Sequence, residues 1–298
     1  VSAALARRPF GKTGLTVPAL GFGAGVAGDP SLSEREAERL LHSVLDLGIG
    51  LIDTARSYGL SEERIGRYLA RRRGEFVLST KIGYGVPGHE DWTAGCVSAG
   101  VDLALANLRT DVLDVVHLHS CPRSTLERGG VVEAIVGAVK AGKGRVAAYS
   151  GDNDALDYAI ASGVFGSVQT SLNVVDQAAL DTALPRARER GLGVIAKRAL
   201  ANAVWRRGPL PDEDPAIATY RGRWNALAFD FGDLPAEEVA LRFAASLPGV
   251  HTVLVGSGKV EHLRENVTAI SRGPLPDGLE RAIRLRFLEC GAGWRGVI

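Results

Sequence analysis

Val112-Leu113-Asp114-Val115-Val116-His117-Leu118-His119 is followed by a helical stretch over residues 131–141, a Gly142 stop, and a second apolar run over residues 145–149. Near-continuous apolar, β-branched runs of this length mark strands buried on both faces, the kind found in parallel sheets. The same unit repeats outward in both directions. Upstream, Ala19-Leu20-Gly21-Phe22-Gly23 precedes a helix over 33–47, Leu51-Ile52-Asp53 one over 62–72, and Phe76-Val77-Leu78-Ser79 one over 93–108. Downstream, the run at 145–149 precedes a helix over 154–161, Val168-Gln169-Thr170 one over 179–190, and Gly193-Val194-Ile195-Ala196 a longer irregular insert; residues 251–255 precede a helix over 260–270. Gly48, Gly74, Gly142, Gly163 and Gly191 each follow a helical stretch as a stop signal.

Eight strand–helix units with no break in composition predict one domain over residues 1–298, an α/β fold closed as a (β/α)8 TIM barrel rather than an open doubly wound sheet. Arg8-Pro9-Phe10 and Leu15-Thr16-Val17 flank the turn Gly11-Lys12-Thr13-Gly14, an N-terminal β-hairpin placed to plug the barrel bottom. The chain has 298 residues, 46% of them hydrophobic, enough for a large core. Its 35 Lys+Arg against 34 Asp+Glu give no electrostatic reason to expect nucleic acid or an anionic membrane as a partner. The run Arg71-Arg72-Arg73 reads as a solvated helix end. Cys96, Cys121 and Cys290 are odd in number and lack metal-ligand or redox spacing, so no metal site is expected and a reducing cytoplasm fits best. No apolar run reaches the roughly 18–20 residues that span a bilayer.

In barrels the chemistry gathers at the C-terminal ends of the strands. Asp53 closes the second strand, Lys81 the third, in Ser79-Thr80-Lys81, and His119 the fourth; Tyr58 lies five residues beyond Asp53. A phenol, an ammonium, a carboxylate and an imidazole on one rim suit proton transfer to a carbonyl oxygen. An ammonium beside a phenol favours its ionisation, and a carboxylate keeps the ammonium charged. His117 points the same way as His119 one layer deeper and reads as a core histidine.

Leu51-Ile52-Asp53-Thr54-Ala55 with Tyr58-Gly59, Ser79-Thr80-Lys81, and the strand from Asp114 to His119 resemble the aldo-keto reductase family, and the likeness runs from Phe10-Gly11 to Glu265-Asn266. The resemblance implies that Asp53, Tyr58, Lys81 and His119 form the catalytic tetrad, with Tyr58 the general acid. It implies a nicotinamide cofactor across the barrel mouth, and the chain has no Gly-x-Gly-x-x-Gly turn opening a helix. Ser150 and Gln169 inherit the nicotinamide carboxamide. Gly151 stands where the family usually has Asn, with Asn153 or Asn173 as replacements. Lys197 stands where many members have a stacking aromatic, its methylene stem free to pack on the ring while its ammonium reaches water or the diphosphate. Gly23, Ala24, Arg198, Leu200 and Asn202 complete that half of the site, with Arg198 and Asn202 toward the diphosphate.

Gly256-Ser257-Gly258-Lys259 opens a helix, whose N-terminal amides suit a phosphate. By the same resemblance Ser257 and Lys259 meet a 2′-phosphate, Glu265 and Asn266 the adenine, and His262 replaces an arginine. NADPH is the expected cofactor, with NADH as the alternative, and a small-molecule carbonyl the expected substrate. Two rival readings are an NADPH-binding redox-sensing or regulatory subunit with little turnover and a barrel isomerase or aldolase using Lys81 as a Schiff base. Pocket loops are expected after the third, fourth and seventh strands and in the C-terminal tail, with Trp92, Trp205, Trp224 and Trp294 as lining candidates. The stretch carrying Pro209, Pro211 and Pro215 reads as a lid.

Overall fold

The computed structural model describes residues 5–206, 208 and 214–298. A two-stranded antiparallel hairpin, β1 (Arg7–Pro9) and β2 (Thr16–Pro18), precedes eight barrel strands. These are β3 (Leu20–Gly23), β4 (Leu51–Asp53), β5 (Val77–Ile82), β6 (Leu113–His119), β7 (Gly144–Ser150), β8 (Ser167–Ser171), β9 (Gly193–Lys197) and β10 (Thr252–Val255). They close in chain order, β10 pairing with both β9 and β3, and every barrel pair is parallel. The fold is the (β/α)8 barrel, with the hairpin in place.

Alternation along each strand splits the core into two layers. Leu51, Val77, Val115, Val146, Ala148, Ile195 and Leu254 point into the barrel, where Phe10 and Val17 of the hairpin join them, so the hairpin closes the floor. The opposite faces pack against the helices in a larger cluster that includes Ile52, Leu78, Val116, Val168 and Val253. The strands are covered on both sides, so even their polar residues, such as Ser79, His117 and Gln169, are buried.

Gly48, Gly142, Gly163 and Gly191 take the left-handed conformation expected after a helix. Gly74 does not: the helix Ser61–Leu69 ends earlier and runs into a 3-10 turn, Ala70–Glu75. The arginine run is also not simply solvated. Arg72 pairs with Asp46 and Glu75, and Arg73 donates to the Phe76 and Val112 carbonyls and to Asp114. These bonds tie the tight turn to the barrel bottom. The helix expected over 179–190 is Ala183–Arg190.

The insert after β9 is more regular than the sequence suggested. It holds the helix Pro215–Leu227, begun by Asp214 as N-cap and Pro215 at the first turn, and then Ala236–Ser246, which covers the barrel. Of the expected lid, Pro215 is therefore helical, while Pro209 and Pro211 lie outside the described residues. The helix Asp277–Cys290 leads to a C-terminal tail that turns back over the mouth. No helix among the described residues is long and apolar enough to cross a membrane.

Candidate active site

Asp53, Lys81 and His119 lie at or near the C-terminal ends of adjacent strands β4, β5 and β6, and Tyr58 follows in the turn after β4. That turn is pressed onto Gly28: a Cβ there would stand 1.7 Å from the Tyr58 carbonyl oxygen, so only glycine admits the approach that fixes the tyrosine. The Tyr58 amide also bonds the Ala55 carbonyl at 3.0 Å.

Lys81 is buried at the centre of the group. Its Nζ donates to Asp53 Oδ2 at 2.5 Å, to the Thr54 carbonyl at 2.9 Å and to Tyr58 Oη at 3.3 Å. Burial works against the ammonium, but Asp53 and Tyr58 outweigh it and hold the Lys81 pKa above its ordinary value. The phenol oxygen thus accepts from a permanent cation, which leaves the phenol proton to point elsewhere. His119 meets the Tyr58 ring edge-on, with ring centroids 6.0 Å apart. Burial first, then the Lys81 and Lys197 charges, push its pKa down to about 3, so the imidazole is neutral.

His117 is fully buried one layer below. Its Nε2 lies 3.1 Å from Ser79 Oγ, which donates to Asp53 Oδ1 at 2.7 Å. Burial lowers its pKa to about 4. It is a core histidine that braces Asp53 through Ser79.

A cleft of about 1420 Å³ opens over this group and runs along the ends of β7 to β10. It is lined by all four of these side chains and by Gly23, Ser150, Gln169, Lys197, Arg198, Leu200, Asn202, Gly256, Ser257, Lys259, Glu265 and Asn266. Ala24 is the exception among the sequence candidates. It is buried under the cleft wall, where its carbonyl accepts from Ser61.

Ser150 Oγ donates to Gln169 Oε1 at 2.8 Å and so turns the amide; Gln169 Nε2 is then a buried donor with no partner among the described residues. Gly151 has a steric cause, since a Cβ there would stand 2.3 Å from the hydroxyl of buried Tyr149, itself anchored on the Cys121 carbonyl. Both expected replacements already hold backbone groups: Asn153 bonds both backbone groups of Gly296, and Asn173 bonds the Arg198 carbonyl and the Val175 amide.

The Lys197 ammonium is committed to buried Asp152 at 2.9 Å rather than free to reach a diphosphate. Asp152 also accepts from Thr170 Oγ1 and the Ser171 amide. Arg198 lines the cleft but holds the Val297 carbonyl at 2.5 Å. At the far end, Ser257 Oγ accepts from the Lys259 amide and lies 3.2 Å from His262 Nδ1, ahead of the helix Val260–Ser271.

Three features escaped the sequence reading. Asp152 was legible as a carboxylate two residues past a strand end. Tyr84, 2.8 Å from His119 Nδ1, lies three residues past Lys81 in a turn with no periodic pattern. The tail was expected among the pocket loops, but its seat was not: Gly296 sits on Asn153 and the Val297 amide on Asp176. The four tryptophans do not line the cleft. Trp205 packs on Trp224, Trp294 on Phe287, and Trp92 on Tyr84.

Residues 19–281 match the Aldo/keto reductase family, and the chain belongs to that family of oxidoreductases, which interconvert carbonyls and alcohols with nicotinamide cofactors. It is 28% identical over 281 residues to the L-galactose dehydrogenase of Arabidopsis thaliana, covering 89% of this chain and 88% of that one. A probable voltage-gated potassium channel subunit beta from the same plant is also 28% identical, covering 89% and 91%. The holo form of an aldo-keto reductase from Bacillus halodurans superposes with a TM-score of 0.83 at 26% identity, covering 95% and 96%.

Proposed function

We propose that this chain reduces an aldehyde or ketone to the alcohol, with NADPH as cofactor and NADH as the alternative, and with Tyr58 as general acid. The observation that carries the reading is the buried chain of contacts from Asp53 to Lys81 to Tyr58, 2.5 and 3.3 Å long, opening on the cleft beside neutral His119. Lys81 stabilises the phenolate left when Tyr58 gives up its proton, and Asp53 keeps Lys81 charged. His119 orients the carbonyl oxygen. Lys81 is a poor Schiff-base nucleophile here, since its amine is held protonated and fully bonded.

The bound nicotinamide supplies the hydride. Gln169 Nε2, buried and unpartnered among the described residues, fits its carboxamide oxygen, with Ser150 turning the amide. Lys197, pinned by Asp152, offers its stem to the ring. Gly23, Arg198, Leu200, Asn202 and Gly256 take the diphosphate side, Ser257 and Lys259 the 2′-phosphate, and Glu265 and Asn266 the adenine.

Tyr58→Phe is the direct test. General acid catalysis is typically worth about 10²–10⁴ in rate. Turnover on a panel of aldehydes, ketones and quinones should fall by about that factor, while NADPH binding, followed by fluorescence, persists. A Phe variant that reduces a good substrate at the wild-type rate would sink the assignment. The likeness to a channel subunit supports a second reading, cofactor binding with little turnover. It is favoured if the wild-type chain binds NADPH tightly yet consumes none with any carbonyl of the panel.

A further inference from the structure

We propose that Tyr84 is a positioning residue that fixes the tautomer of His119, so that Nε2–H is the group presented to the substrate oxygen; this rests on the reductase reading above. The Tyr84 hydroxyl lies 2.8 Å from His119 Nδ1 and 3.2 Å from Ser57 Oγ, and its ring stacks on the imidazole at 25° with centroids 5.4 Å apart. Burial keeps His119 neutral, so the ring has one N–H and one bare nitrogen.

A phenol has one proton, so the contacts can run in two ways. In one, Ser57 donates to Tyr84, Tyr84 donates to Nδ1, and Nε2 carries the hydrogen. In the other, Nδ1–H donates to Tyr84, Tyr84 donates to Ser57, and a lone pair on Nε2 meets the cleft. Only the first gives a carbonyl oxygen a donor; the second repels it.

The surrounding turn is built to hold this phenol. Trp92 packs on the Tyr84 ring with centroids 5.5 Å apart. Its own ring occupies the space where a Cβ on Gly83 would fall, 2.2 Å away, and its amide donates to the Gly83 carbonyl at 2.8 Å. Trp92 adopts a φ of 61° to do so, a conformation that a bulky residue keeps only when its neighbours over-determine it. Asp91 closes the same turn by accepting the Gly85 amide.

The test is a two-bond ¹⁵N–¹H correlation spectrum of the imidazoles in the substrate-free protein, with His119 assigned by its loss in His119→Gln. Wild type should show His119 protonated on Nε2. Tyr84→Phe, which keeps the ring and removes the hydroxyl, should show a mixture of tautomers. In that variant kcat should fall about tenfold, the value of one orienting hydrogen bond, with NADPH binding unchanged. Ser57→Ala should leave Nε2–H in place. A protonated Nδ1 in wild type, an unchanged tautomer in Tyr84→Phe, or a tautomer switch in Ser57→Ala would each overturn the proposal. Failure of the reductase reading is separate: a chain that turns over no carbonyl leaves the spectra, read without substrate, to decide Tyr84 alone.

Discussion

Two lysine–aspartate pairs occupy opposite sides of the barrel mouth, Lys81 on β5 with Asp53 and Lys197 on β9 with Asp152. Both carboxylates are buried, but they are supported differently. Asp53 accepts from Lys81 at 2.5 Å and from the Ser79 hydroxyl, and Lys81 passes the contact on to Tyr58. Asp152 accepts from Lys197, from Thr170 Oγ1 at 2.6 Å and from the Ser171 amide at 2.8 Å, a backbone donor that no side-chain change removes. The first pair leads on to the Tyr58 phenol, the general acid of the proposed reaction. The second ends in a carboxylate already well satisfied, and it pins one wall of the cleft. A buried ion pair can thus be machinery or a brace, and what distinguishes them is where the remaining hydrogen bonds lead.

The sharpest way to break this contrast is to remove each cation in turn. Lys81→Met strands Asp53 in the core and should cost about 3–5 kcal/mol in urea unfolding, along with most of the turnover. Gly151→Asn, which restores the residue usual in the family, pushes a side chain into the Tyr149 hydroxyl and should cost about 1–3 kcal/mol instead of improving NADPH binding; tighter binding with no loss of stability would show that Tyr149 yields. Lys197→Met leaves Asp152 its other donors and should cost about 1–2 kcal/mol, with NADPH affinity moving more than kcat. Equal losses in the two methionine variants would erase the distinction between the pairs.

At neutral pH the last effect vanishes, since it appears only as pH falls. His117 and His119 have folded pKa values pushed down to about 4 and about 3, chiefly by burial. Between the ordinary value of 6.5 and those values the unfolded chain takes protons that the folded chain refuses. Their stabilisation is therefore complete above pH 6.5 and is lost as pH falls. Asp176, raised to about 6 by burial, works the other way, since the folded chain binds its proton first. His117→Asn should flatten the loss of stability between pH 6.5 and 4 by up to about 1.4 kcal/mol per pH unit. Urea midpoints at pH 7, 6 and 5 would measure it, and parallel pH curves for variant and wild type would contradict the assignment.

Much of the site was legible because a closed parallel barrel brings every strand's C-terminal end to one rim. Once Leu51-Ile52-Asp53, Ser79-Thr80-Lys81 and the run ending at His119 were read as strands, their polar ends had to meet, and they do. The same logic placed Ser150, Gln169, Lys197 and Gly256 on the cleft. Ala24 does not reach the cleft, because the 3-10 turn Ala24–Gly28 begins there and turns it inward. Lys197 was correctly placed on the cleft, but its ammonium was assigned to water or the diphosphate, because Asp152 on a neighbouring loop was not weighed as its partner.

The sequence by itself determined the eight-unit barrel, the hairpin plug and the grouping of Asp53, Tyr58, Lys81 and His119, since each follows from a local period or a strand end. Only the tertiary structure decided how the C-terminal tail is seated, which nitrogen of His119 Tyr84 engages, and why position 151 holds glycine. Gly296 reaches Asn153 across 143 residues, and Tyr84 reaches His119 across 35. No pattern of apolar spacing encodes such contacts. They arise where loops of independent strands come within hydrogen-bond distance, and that distance is set only when the barrel closes.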